Sequence, residues 1–285
     1  MSLPSPPTRP TAAAQALSCV SAACAAVASV ATLLWSGSFP PPPDSAGVNA
    51  ALAEARGWSL VTLAIALPLL VSCLLAARRG SRSGQLAWLG TLAYLVYTYL
   101  EFAVAPPFSA LYLFYVVAFA CALPALVMGV AAVDTVSLER SLGATWPRRS
   151  IALFGLAIGV LLPLAWLKAI LAQTLAGDFG WPSGVAAIGH VVHALDLGLQ
   201  APLGIATGVL LLRRQPSGLV LAPILLVNSV CMGLALTAMV VASALAGGRS
   251  PLAGVPFAVL PVLASVLAAR FFRALELPGT RHAPA

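Results

Sequence analysis

A chain of 285 residues, 60% apolar and only 8% charged, with mean hydropathy +0.98, cannot cover a core with a polar surface. Ordinary soluble domains carry about 25% charged residues, so a soluble enzyme is excluded, and so is a disordered chain, which needs low hydrophobicity and high charge. The composition is that of an all-α polytopic membrane protein.

The formal charge of +7 would suggest nucleic acid in a soluble chain. Here the arginines sit in short loops between apolar runs. They read as orientation signals and contacts to anionic headgroups, so membrane lipids are the expected partners and nucleic acid is not.

Eight apolar runs are long enough to cross about 30 Å of hydrocarbon. They fall near 13–36, 58–77, 86–105, 110–133, 150–172, 188–212, 219–246 and 253–272. Their length argues helix, because backbone groups in lipid must be satisfied within the segment, and the ten-residue alternation of barrel strands is missing. The chain reads as one integral membrane domain, 1–285, with possible halves 13–133 and 150–272 and a disordered tail over 273–285.

The first run has a Pro-rich start and a signal-like Ala26-Val27-Ala28. It continues to Trp35, longer than a signal peptide's apolar region, so an uncleaved span is expected. After it, Pro40 to Pro43 cannot be helical and read as an extended lead. Ala46–Arg56 then has helix-forming content and is expected to lie on the outer surface. No loop can hold a soluble domain, which excludes a receptor kinase or an ATP-driven pump on this chain. No phosphate-binding or dinucleotide-binding glycine motif occurs, and no cofactor is expected.

All five tyrosines lie between 94 and 115. Tyr94, Tyr97 and Glu101 share one face of the third span by their i, i+3, i+7 spacing. Tyr99 points elsewhere, toward an interfacial belt, and Tyr112 and Tyr115 read as interface anchors at the start of the fourth. Asp134, Glu139 and Arg140 look like loop charges. Lys168 sits near the end of the fifth span, where its stem can reach the interface.

The sixth span carries the densest polar signal. At 100° per residue, His190, His193, Asp196 and Gln200 form one stripe, about 120° wide and about 15 Å long, followed by Pro202. A stripe of that kind is costly in lipid and should face the bundle interior. In the seventh span Asn228 reads as interhelical glue. The five cysteines, at 19, 24, 73, 121 and 231, all lie in apolar runs with no CxxC spacing, and read as small hydrophobes.

Twelve arginines fall in the N-terminal segment, 78–84, 134–149, 213–218 and the C-terminal end; Arg56 and Arg249 alone fall in the alternate set. That bias places both termini in the cytoplasm and the protein in the plasma membrane. It also puts Glu101, Lys168, His190, His193 and Asp196 in the outer half of the bilayer. An expected outer-facing pocket is therefore lined by Tyr94, Tyr97, Glu101, Lys168, His190, His193, Asp196 and Gln200.

A shift of 134 residues aligns Leu63 with Leu197, Pro68 with Pro202, Leu69 with Leu203, Arg79 with Arg213, Ser83 with Ser217 and Gly84 with Gly218. That is the pattern of a parallel four-span repeat.

Three readings of the polar cluster stay open. Glu101 and the His193–Asp196 pair suit proton or ion coupling in a small transporter or permease-like protein taking an unknown small molecule or ion. His190 and His193, with Glu101 from another helix, could instead hold a metal ion or serve a membrane-embedded enzyme acting on a lipid-like substrate. In a purely structural bundle, Lys168 would pair with Glu101 or Asp196.

The runs Leu86–Phe102 (LAWLGTLAYLVYTYLEF), Leu111–Tyr115 and His193–Leu197 (HALDL) resemble segments of bacterial and archaeal multi-pass membrane proteins of unknown function. The resemblance implies a helical membrane fold and no particular activity.

Overall fold

The computed structural model describes residues 9–38, 50–106, 108–142, 146–177, 185–247 and 254–276. Among them there is no strand, and eight helices are long and apolar enough to cross a membrane. The chain is a polytopic all-α membrane protein.

In order, α1 is Ala12–Leu34 and α2 is Ala50–Arg78. Then come α3 (Arg82–Val104), α4 (Tyr112–Ala131) and the short α5 (Thr135–Ser141). Next are α6 (Arg148–Ala176) and α7, which runs Val185–Leu195, Asp196–Gln200 and Ala201–Leu212 without a break. The bundle ends with α8 (Pro216–Leu245) and α9 (Val255–Glu276).

Several ends differ from expectation. Ala50–Arg56 is no separate surface helix: α2 carries it straight into the span, with Leu52 and Ala55 buried. The cause is close packing, since a Cβ on Gly57 would lie 2.4 Å from the Ala238 carbonyl of α8. Residues 39–49, including the proline run, lie outside the described residues. Asp134 is a helix cap rather than a plain loop charge, accepting from the N–H groups of Val136 and Ser137 at the start of α5. Helix α9 runs through Glu276, four residues into the stretch assigned to the tail; 277–285 lie outside the described residues.

Helices α3 and α8 form the centre. Helix α8 is buried along most of its length and packs on α2, α3, α7 and α9. Its contact with α3 is set by Gly90, where a Cβ would meet the Val227 Cβ at 2.5 Å. Small residues allow such approaches, which drive helix association where lipid tails remove the hydrophobic incentive. The same device joins α6 to α7: Gly155 and Gly159 on one face Gly204 and Gly208 on the other, and a Cβ on Gly204 would lie 2.6 Å from the Gly155 carbonyl. Helix α1 packs along α4, with the Ser21 hydroxyl donating to the Ala118 carbonyl at 2.9 Å.

At the arginine-bearing face, Arg82 at the start of α3 donates to the carbonyl and hydroxyl of Ser137 in α5. Arg148 lies 5.6 Å over the Trp146 ring, which meets Phe271 edge-on at 5.8 Å. The aromatic belt expected from Tyr99 and Tyr115 is inside instead. Both are buried, their rings are stacked at 6.2 Å, and the Tyr99 hydroxyl donates to the Ala25 carbonyl. Tyr112 is half-buried, beside Phe108 at 5.3 Å. All five cysteines are free thiols.

Candidate functional site

The site is built around a departure from ideal helix geometry. At Asp196–Gln200, α7 widens into a π-helical turn, with the Ala201 N–H bonded to the Asp196 carbonyl. Pro202 follows at once and has no N–H for the Gly198 carbonyl. Widened turns of this kind recur at functional sites. The turn buries Asp196 and Gln200 and leaves Gly198 and Leu199 between them exposed, so the two polar side chains share the inward face.

Asp196 is 7% exposed and is gripped by two other helices. The Tyr97 hydroxyl of α3 donates to its Oδ1 at 2.7 Å, and the Trp166 indole N–H of α6 donates to its Oδ2 at 2.8 Å. Glu101, one turn along α3, lies within electrostatic reach of both Tyr97 and Asp196 and is half-buried. Gln200 accepts from the Asn228 side-chain amide of α8 at 2.9 Å. Asn228 is 2% exposed, and its own Oδ1 has no partner among the described residues.

Toward the end of α7 the stripe grades into the surface. His193 is half-buried, its ring 4.3 Å from that of Trp166, and its Nδ1 has no partner among the described residues. His190 is exposed and meets Gln173 of α6, Nε2 to Oε1 at 3.3 Å, with its ring 6.2 Å from that of His193.

Of the eight expected lining residues, the structure gathers Tyr97, Glu101, His193, Asp196 and Gln200. Tyr94 is not among them: its hydroxyl pairs with Thr62 at 2.7 Å, and its ring stacks on Trp58, 6.4 Å away. The i+3 spacing holds, but α2 rather than α7 covers that part of the face. Lys168 is exposed and makes no ion pair with Glu101 or Asp196 among the described residues, because Trp166, two residues earlier, holds the inward position on α6. His190 is at the rim. Among the described residues no three His, Cys, Asp or Glu side chains stand close enough to share a metal ion, so His190, His193 and Glu101 do not converge on one.

Two residues were missed. Trp166 reads as ordinary apolar content, and only its indole N–H, placed opposite a carboxylate on another helix, gives it a role. Gln173 lies beyond the expected end of the fifth span, which continues to Ala176.

Chemically the arrangement is a carboxylate held by two neutral donors in a region of low dielectric, with a second carboxylate nearby and no cation paired to either among the described residues. Such a group is costly as an isolated anion. It can exchange a proton or accept a cation, and either event weakens its hold on the two donors. Comparison with protein-family models, with curated proteins and with solved structures finds no match.

Proposed function

We propose that this integral membrane protein is a small proton- or ion-coupled permease of the plasma membrane, with both termini cytoplasmic and Asp196 as the coupling group. The observation that carries this reading is the buried Asp196 carboxylate, bonded from α3 and α6 and lacking a cationic partner among the described residues. Buried charge inside a membrane bundle is rare and belongs by default to ion or proton pathways. Glu101, one turn along α3 from Tyr97, is the second carrier. Twelve arginines against two support the orientation, which sets the site in the outer half of the bilayer.

The test is proton entry into proteoliposomes carrying an internal pH-sensitive dye. An imposed pH gradient should drive uptake in the wild type, and Asp196→Asn should abolish it. Uptake equal to that of empty liposomes, or unchanged in Asp196→Asn, would reject the reading. A structural role for the same bonds predicts the second result together with loss of stability.

A further inference from the structure

Two helical hairpins of this chain correspond in register. The shift of 134 that aligns the prolines also carries the wide turn Thr62–Ala66 onto Asp196–Gln200, and the helix Leu67–Arg78 onto Ala201–Leu212. It carries the start of α3, Arg82, onto the start of α8, Pro216. The tight turns share their closing bonds. Ser81 N–H donates to the Ala76 carbonyl at 3.0 Å, as Gln215 does to Leu210 at 2.9 Å. Gly80 donates to Ala77 and Arg214 to Leu211, and both donors have positive φ. Gly84 backs onto Ala76 and Ala77, and Gly218 onto Leu210 and Leu211.

A tight turn alone could recur by chance between antiparallel helices. The wide turns could not follow from proline alone: Pro124, Pro163, Pro223 and Pro261 lie inside helices with no wide turn before them. The packing of the central helices repeats as well. Helix α2 packs on α8, and α7 on α3. Gly90 of α3 backs onto Pro223 and Val227 of α8, which the shift returns to 89 and 93. Helix α3 therefore meets its mate level with its own position, as a two-fold axis between them requires.

We infer that the chain carries a tandem repeat of one two-helix unit, α2–α3 and α7–α8, and that Asn228, the repeat mate of Tyr94, is the positioning residue that holds the turn presenting Asp196. In the first unit the clamp is the Tyr94 hydroxyl on Thr62, 2.7 Å away. In the second it is the Asn228 amide on Gln200, 2.9 Å away. Both clamps reach the wide turn from the same place on the second helix of their unit. What has diverged is the cargo of the turn: Thr62 is the mate of Asp196, and Cys231 is the mate of Tyr97. The first turn thus keeps the frame without a carboxylate of its own.

The clamp itself stands on geometry; only its bearing on proton uptake rests on the function proposed above. The groups facing Asp196 are Tyr97 and Glu101 from α3, Trp166 from α6 and His193 on its own helix; Lys168 and His190 are exposed. Helix α8 contributes Asn228 and carries no charged residue.

The test is amide hydrogen exchange of the full chain in nanodiscs, read over 196–203 and 62–69, beside proton uptake against pH. Asn228→Leu should speed exchange at 196–203 roughly three- to tenfold, as losing one buried hydrogen bond implies, and leave 62–69 unchanged. Tyr94→Phe should do the reverse. If Asn228→Leu does not fold, Gln200→Met removes the same bond from its other side. Asn228→Leu should also move the pH midpoint of uptake, which Tyr94→Phe should not. Substitutions that loosen both turns alike, or neither, overturn the inference. A selective exchange response without any proton uptake would sink the transport reading alone; uptake without the selective response would sink the clamp alone.

Discussion

Arg214 holds the left-handed backbone position that Gly80 holds in the other hairpin, with φ of 55° against 87°. A side chain there meets its own backbone, at a cost of about 1–2 kcal/mol, which glycine avoids. Arg214→Gly should therefore raise the unfolding free energy by about 1 kcal/mol, and Gly80→Ala should lower it by about the same amount. Denaturation in detergent reads both. Shifts of the same sign would show that the two turns are not equivalent.

The two bonds on Asp196 should be coupled. Tyr97→Phe or Trp166→Phe each removes a donor to a buried carboxylate, at a cost of about 1–3 kcal/mol. Because both act on one group, the double variant should depart from additivity by at least about 0.5 kcal/mol, and a double-mutant cycle measures this. Additive losses would mean that the carboxylate does not link α3 to α6.

Lys168 and His190 serve as internal controls. Both side chains are exposed, so Lys168→Ala and His190→Ala should each change stability by no more than about 0.5 kcal/mol. Proton uptake in proteoliposomes should stay at the wild-type rate. A strong loss in either variant would extend the site to the rim.

Gly57 tests the extension of α2 beyond the span. An added methyl there meets the backbone of Ala238 and Met239, which cannot swing aside as a side chain can. Gly57→Ala should destabilise the bundle by about 1–3 kcal/mol, read as a lowered melting temperature in detergent. A neutral result would mean that α2 and α8 separate freely at that end.

Fold class and span number were legible in the sequence because both follow from the length and purity of the apolar runs. The stripe on α7 was legible too, since Asp196 and Gln200 stand out against their neighbours. Its fine geometry was not. Ideal spacing takes a regular helix, and the widened turn at Asp196 has no composition signature beyond a proline shared with helices that lack one. Lys168 misled because a charge in a span draws the eye, while Trp166, which carries the polar contact, looks apolar. Tyr94 and Tyr97 share a face, yet that face is covered by two different helices, and periodicity names the face without naming its neighbour.

Helix α6 is anchored unevenly. Gly155 and Gly159 press it against α7 near the arginine-bearing end, while Leu161, Leu164 and Leu167, farther along, are exposed. Trp166 lies on this outward-facing stretch, and Tyr97 lies on the enclosed α3. A swing of α6 about its glycine contact would strip the indole from Asp196 and spare the phenol. The carboxylate would then be left with one donor and a vacated oxygen, so that its affinity for a proton would report the tilt of a single helix.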